Sequence, residues 1–215
     1  DMIIQACEGV AEAHAAGIVH RDVKPANFFI TRRPDGSPLL KILDFGISKA
    51  PVGHDSELTR TQAVIGTPAY MSPEQMRASK SVDARSDIWS IGVVLYQLVC
   101  GQRPFESENY AELCLKVGVD PPAPFNRALP EGLDAVILRA LEKDPAARFQ
   151  NAAELAAALA PFASDANAAH SAADRCARIL AGNHSSMMAA VGAAGPSTGE
   201  SRVAGKTPAP LTPLS

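Results

Sequence analysis

The chain has 215 residues, 47% of them hydrophobic, which is enough to bury a real core in one domain plus extras without staples. Its net charge of -3, with acids and bases interspersed, gives no basic field for a nucleic acid, so none is expected as a partner. The four cysteines, Cys7, Cys100, Cys114 and Cys176, form no CxxC or Cys/His cluster; this argues against a zinc site or a disulfide framework and for a reducing, cytoplasmic setting.

In chain order, Ile4, Cys7, Val10 and Ala11 repeat at helical spacing from the first residues on, and Gly17 is the natural stop of that helix. The chain opens on Asp1 already inside this pattern, so its left edge is expected to be a cut, with any leader upstream. "NFFI" and "LLKIL" have strand composition and flank "RRPDGSP", whose Pro, Asp and Gly favour a turn, so a hairpin is the economical reading. Residues 47–73 are rich in Ser, Thr, Gly and Pro and read as a long irregular loop. Helices are expected to resume near Val82, first as a helix over Asp83–Cys100 that is apolar nearly all round and would stand in the middle of the domain. Its stretch "IWSIGVVLYQLVCG" is shorter than the ~20 apolar residues a membrane span needs, so no span is expected within the chain. Further helices fit Ala111–Val117, Leu133–Leu141 and Ala152–Leu159. The class is α+β and mainly helical. After Phe162 the composition turns to Ala, Gly, Ser and Pro, and residues 164–215 are expected to be a flexible tail or linker that leaves room for a short helix near Asp174–Leu180.

The chemistry concentrates in "HRDVKPAN" and the acid beyond the hairpin. Two strands around a turn return Asp44 to the edge that carries Asp22, Lys24 and Asn27. Transfer of a phosphoryl group to an alcohol needs a proton acceptor, hard oxygens for Mg²⁺ on the phosphates, and a cation for the moving charge. Asp22 can accept the proton, Asn27 and Asp44 can supply oxygens, and Lys24 can reach the phosphate.

"HRDVKPAN", then "DFG", "GTPAYMSPE" and "DIWSIG", in this order and spacing, resemble the large, C-terminal lobe of eukaryotic-type protein kinases, with closest likeness to bacterial receptor-type Ser/Thr kinases. The resemblance covers residues 1–163 or so. It implies Asp22 as catalytic base, Lys24 on the transferring phosphate of ATP, and Asn27 with Asp44 on Mg²⁺, while His20 is architectural. Lys24, and Thr67 in "GTPAY", imply protein substrates with Ser or Thr acceptors. Arg21 is implied to pair with a phosphate on the activation loop. Among Ser48, Ser56, Thr59, Thr61 and Thr67 in that loop, "LTRTQAVIGT" singles out Thr59 and Thr61 as the phosphorylated pair; for any one hydroxyl the alternative is a solvated turn former. Glu74 is expected to pair with Arg148 of "DPAARF", and Asp87 to accept hydrogen bonds from the backbone of the catalytic loop. In such relatives dimers regulate activity, so a kinase homodimer is an implied partner.

The small lobe is missing from this reading. No G-x-G-x-x-G precedes the first helix and no "VAIK"-like string occurs, so the chain alone should be nearly inactive. The alternative is a large lobe that docks or regulates without catalysis, which would have no need of Mg²⁺ ligands. A small-molecule kinase is disfavoured by the "GTPAY" to "SPE" segment, which in the family shapes a peptide platform.

Overall fold

The computed structural model describes residues 1–44, 68–77 and 82–193, with side-chain surroundings up to residue 182. Helix α1 (Met2–Ala15) buries Ile3, Ile4, Cys7, Val10 and Ala11 along one stripe, the face its apolar spacing requires. It ends where a side chain would be strained: Gly17 has φ +74°, its N–H donates to the His14 carbonyl at 3.0 Å, and the Ile18 N–H donates to Ala13 at 2.9 Å. This two-bond closure satisfies the last carbonyls and turns the chain sharply.

Strands β1 (Phe28–Arg32) and β2 (Pro38–Ile42) form an antiparallel pair with Phe28 opposite Ile42 and Arg32 opposite Pro38. Asp35 fixes the turn by accepting from the Ser37 N–H at 2.9 Å and its hydroxyl at 2.6 Å. Leu40 is buried, and Gln5 of α1 accepts the Leu40 N–H at 2.9 Å, so β2 is seated on α1.

Helix α2 (Pro73–Met76) precedes the point where helices were expected to resume. Ser72 accepts from the Gln75 N–H while the Gln75 side chain accepts from the Ser72 N–H, a reciprocal cap with Pro at the first helical position. Helix α3 (Ala84–Cys100) is the central post: Ile88, Trp89, Ile91, Val93, Val94 and Tyr96 are all buried. Asp83 caps it at one end and Gly101 closes the other. Helices α4 (Tyr110–Val119), α5 (Leu133–Ala140) and α6 (Ala152–Leu159) follow; α5 packs on α3, and α6 on α5 and α1. A Cβ at Gly92 would stand 2.8 Å from the Ala140 Cβ, so α3 and α5 approach this closely only because residue 92 has no side chain. Trp89 stacks on Phe105 with ring centroids 5.7 Å apart. Lys143 lies 3.9 Å from the Phe105 centroid and donates to the Val117 carbonyl at 2.8 Å; its burial pushes the amine down to about 8.

Helix α7 (Ala166–Ala193) corrects the expectation of a flexible tail from residue 164. Ala169, Ala172, Ala173 and Cys176 are buried against the rest of the molecule, and Leu180 packs beside them. Small side chains give up little rotamer freedom on burial, so a segment poor in bulky residues can still dock as a helix. Among the described residues no helix is long and apolar enough to cross a membrane.

Candidate active site

The loop between α1 and β1 is hung on one buried carboxylate. Asp87, in the first turn of α3, has no exposed surface and accepts from the backbone N–H of His20 and of Arg21, each at 2.8 Å. His14, at the end of α1, completes the set, its Nε2 2.8 Å from Asp87 Oδ2. Three donors on one carboxylate offset its desolvation and tie α1, the loop and α3 together. His20 is equally buried; its Nδ1 accepts the Asp22 N–H at 3.3 Å, which leaves Nε2–H to donate to the Leu43 carbonyl at 3.1 Å. Arg21 has φ +64°, a strained value for a side-chain-bearing residue, held by the bond of its N–H to Asp87 and by its carbonyl, which accepts from Gln75 Nε2 at 2.8 Å.

Asn27 brings the polar groups together. It is buried, at the end of a single tight turn over Pro25–Asn27, and its Nδ2 donates to the Asp22 carbonyl at 2.7 Å and lies 3.4 Å from Asp22 Oδ2. Lys24 Nζ donates to the same Oδ2 at 2.9 Å. The Asn27 carbonyl accepts the Leu43 N–H at 2.8 Å, which extends the hairpin ladder by one step, to the residue before Asp44. Asp44 is exposed and has φ +55°, so the acid sits at a second strained position, at the lip of the loop. Among the described residues, Arg21 and Asp44 alone combine a side chain with a positive φ.

A bidentate pair anchors the segment that follows residue 67. Arg148 Nη1 and Nη2 donate to Glu74 Oε1 and Oε2 at 2.8 and 2.9 Å, and both side chains are buried. Arg148 also donates to the carbonyls of Glu142, Arg85 and Lys143, and the Ser86 hydroxyl donates to Glu74 at 2.6 Å. Burial alone would raise the Glu74 carboxyl; the bonds from Arg148 and Ser86 outweigh it and hold the group at about 2.

Bonds thus join Asp22, Lys24 and Asn27 in one loop, which Asp87 holds through the backbone of His20 and Arg21, while Glu74 and Arg148 pair apart from it; Asp44 follows the Leu43 that bonds to Asn27. Thr59, Thr61 and Thr67, with Ser48 and Ser56, fall outside the described residues. Sequence reasoning missed His14 and Gln75. The signal for His14 was a histidine on the last turn of α1, six positions before His20; for Gln75 it was the "SPEQ" cap.

The donor set suits a cation that keeps other ligands. No cluster of three or more His, Cys, Asp or Glu among the described residues could hold a metal by itself. Asp44 and Asn27 offer one carboxylate and one carboxamide, a set that could serve a hard divalent ion that keeps other ligands. Because the amide nitrogen of Asn27 is the atom bonded to Asp22, its Oδ1 is the atom that could serve a cation.

Comparison with known proteins identifies the family. Residues 1–159 match the protein kinase domain family. "Probable serine/threonine-protein kinase PknB" of Corynebacterium glutamicum is 46% identical over 166 residues, and "Serine/threonine-protein kinase PknB" of Mycobacterium tuberculosis is 43% identical over 162; each match takes in 74% of this chain and 25% of the relative. "Serine/threonine-protein kinase Pkn1" of Myxococcus xanthus is 41% identical over 161 residues, 74% of this chain and 23% of its own. The chain therefore corresponds to about a quarter of the length of these relatives. It belongs to the protein kinase domain family and stands with its serine/threonine members.

Proposed function

We propose that the chain is the large lobe of a kinase domain that transfers the γ-phosphoryl group of ATP to serine and threonine hydroxyls of protein substrates. The observation that carries this reading is the position of Asn27, whose side chain holds Asp22 while its backbone holds the residue before Asp44. Asp22 takes the proton of the acceptor hydroxyl. Lys24, held by Asp22 at 2.9 Å, lies beside that proton acceptor and offsets charge on the transferring group. Asn27 Oδ1 and Asp44 are the oxygens that would hold Mg²⁺, which when bound neutralises charge on the nucleotide phosphates.

Phe29 and Leu43 are exposed apolar side chains on the same hairpin, as expected where a second lobe closes the nucleotide cleft. The Gly-rich strand pair and the strand Lys that such a lobe brings do not occur in the sequence. Joined to them, the chain is an active kinase; alone, it transfers phosphate orders of magnitude more slowly.

Mass spectrometry of the complete kinase after incubation with ATP and Mg²⁺ tests the acceptor class. Phosphate is expected on Thr59 and Thr61, whose phosphates would face Arg21. Phosphate confined to tyrosine would overturn the serine/threonine reading. Unchanged phospho-content in Thr59→Ala with Thr61→Ala would remove those two residues as the activation sites.

A further inference from the structure

The family match ends at residue 159, yet the polypeptide beyond it is not appended loosely. Ser164 donates its N–H and its hydroxyl to the two Asp1 carboxylate oxygens at 3.0 and 2.6 Å. One stretch further along both segments, Arg175 donates to Glu8 at 2.8 Å through Nε and lies 2.7 Å from it through Nη2. The two contacts advance in the same direction, so α7 runs parallel to α1. Between them Ala169, Ala172, Ala173 and Cys176, spaced by three, one and three residues, form a buried stripe whose small side chains let the helices approach closely. Ile4 and Glu8 of α1 line one cleft with Ala169, Ala172 and Arg175. Cys7 and Cys176 are fully buried and burial pushes both thiols up, so they act as neutral packing groups at this seam.

The other end of α1 carries the consequence. His14 lies on its last turn and bonds to Asp87, and Asp87 holds the N–H groups of His20 and Arg21. A rotation or slide of α1 by an ångström would break the His14 bond before it disturbed the centre of α3, where Ile91 and Val93 are wholly buried. We propose that α7 is a strap, supplied by this chain beyond the family's domain, that locks α1 in the register the 18–24 loop needs. The strap acts on position and touches none of the reacting groups. Its importance for catalysis rests on the kinase reading of that loop; the contact itself does not.

Amide hydrogen exchange on the whole chain tests it without any readout of phosphoryl transfer, so the strap and the kinase reading can fail separately. Ala173→Glu places a charge in the buried stripe and should unseat α7. The expected result is exchange at least ten-fold faster at the amides of His14, His20 and Arg21, with the amides of Ile91 and Val93 unchanged. Arg175→Ala removes only a partly exposed ion pair and should raise the same loop amides about two-fold. If Ala173→Glu does not fold, the Arg175→Ala result decides alone. Fast exchange in α7 with unchanged His20 and Arg21 would overturn the strap, as would an equal rise at all amides including those of α3, or no rise at all in Arg175→Ala.

Discussion

Asp22→Asn in the complete kinase is expected to lower turnover on a serine or threonine peptide by on the order of 10²–10⁴-fold, the range that a positioned general base supplies. The substitution keeps the shape of the side chain. It also keeps the bond from Asn27 Nδ2 to the backbone carbonyl of residue 22, 2.7 Å long and independent of the carboxylate. What it removes is the group that accepts a proton, together with the partner of Lys24, whose Nζ donates to Oδ2. Since Asp22 is not one of the groups assigned to the metal, nucleotide affinity should stay within a few-fold, and the loss should fall on kcat rather than on KM for ATP. Steady-state kinetics with varied ATP and peptide separates the two. Turnover close to that of the unaltered enzyme would remove Asp22 from the role of base.

The second large effect is on stability. Arg148→Met leaves Glu74 buried without its bidentate partner, and breaking one half of such a pair costs about 3–5 kcal/mol. Glu74→Gln with Arg148→Met removes both charges and should recover a good part of the loss. Urea unfolding at neutral pH measures both, and a loss below about 1 kcal/mol in the single variant would contradict the assigned role. The same pair sets an acid limit. The folded carboxyl is held at about 2 against an ordinary 4.5, so the folded form binds this proton less readily than the unfolded form. Its stabilisation, about 3 kcal/mol, is complete above the ordinary value and is lost as pH falls from there toward 2. The double variant should lack this component of the acid loss, which unfolding curves between pH 5 and pH 3 would show.

The parts of the fold that could be read from the chain are those that depend on local pattern and bulky side chains. The hairpin followed from β-rich runs around "RRPDGSP", and α3 from an apolar run with acids at its start. The helix expected over Ala152–Leu159 has those same ends in the structure. Helix α7 could be read that way only near Asp174–Leu180, a fraction of its length. Its docking depends on alanines and one cysteine, each contributing little apolar area, and only the partner surface on α1 and α6 turns the stripe into a contact. Helix α2 left a readable mark in Ser72, Pro73 and Gln75, but in a segment whose composition spoke for a loop.

The site divides in the same manner. Asp22, Lys24, Asn27 and Asp44 are proposed because phosphoryl transfer needs those chemical types, and the ladder bond between Asn27 and Leu43 carries the hairpin back as far as the residue before the second acid. His14 could not be named, because nothing local separates it from a solvated histidine. Its partner Asp87 is 73 residues away and reaches it only through the packing of α1 against α3. The strained backbone at Arg21 is likewise set by tertiary bonds, its N–H to Asp87 and its carbonyl to Gln75, since Arg does not favour a positive φ.

The central claim is that Asn27 and Asp44 face one metal-bound nucleotide with Asp22 at its edge. Nuclear magnetic resonance of the complete kinase, with Mn²⁺ in place of Mg²⁺ and a non-hydrolysable ATP analogue, tests it most directly. The Asn27 side-chain amide and the Asp22 backbone amide should broaden strongly only when metal and nucleotide are both present, while amides of α5 keep their widths. Sharp Asn27 and Asp22 signals in the presence of bound Mn²⁺-nucleotide would contradict the account.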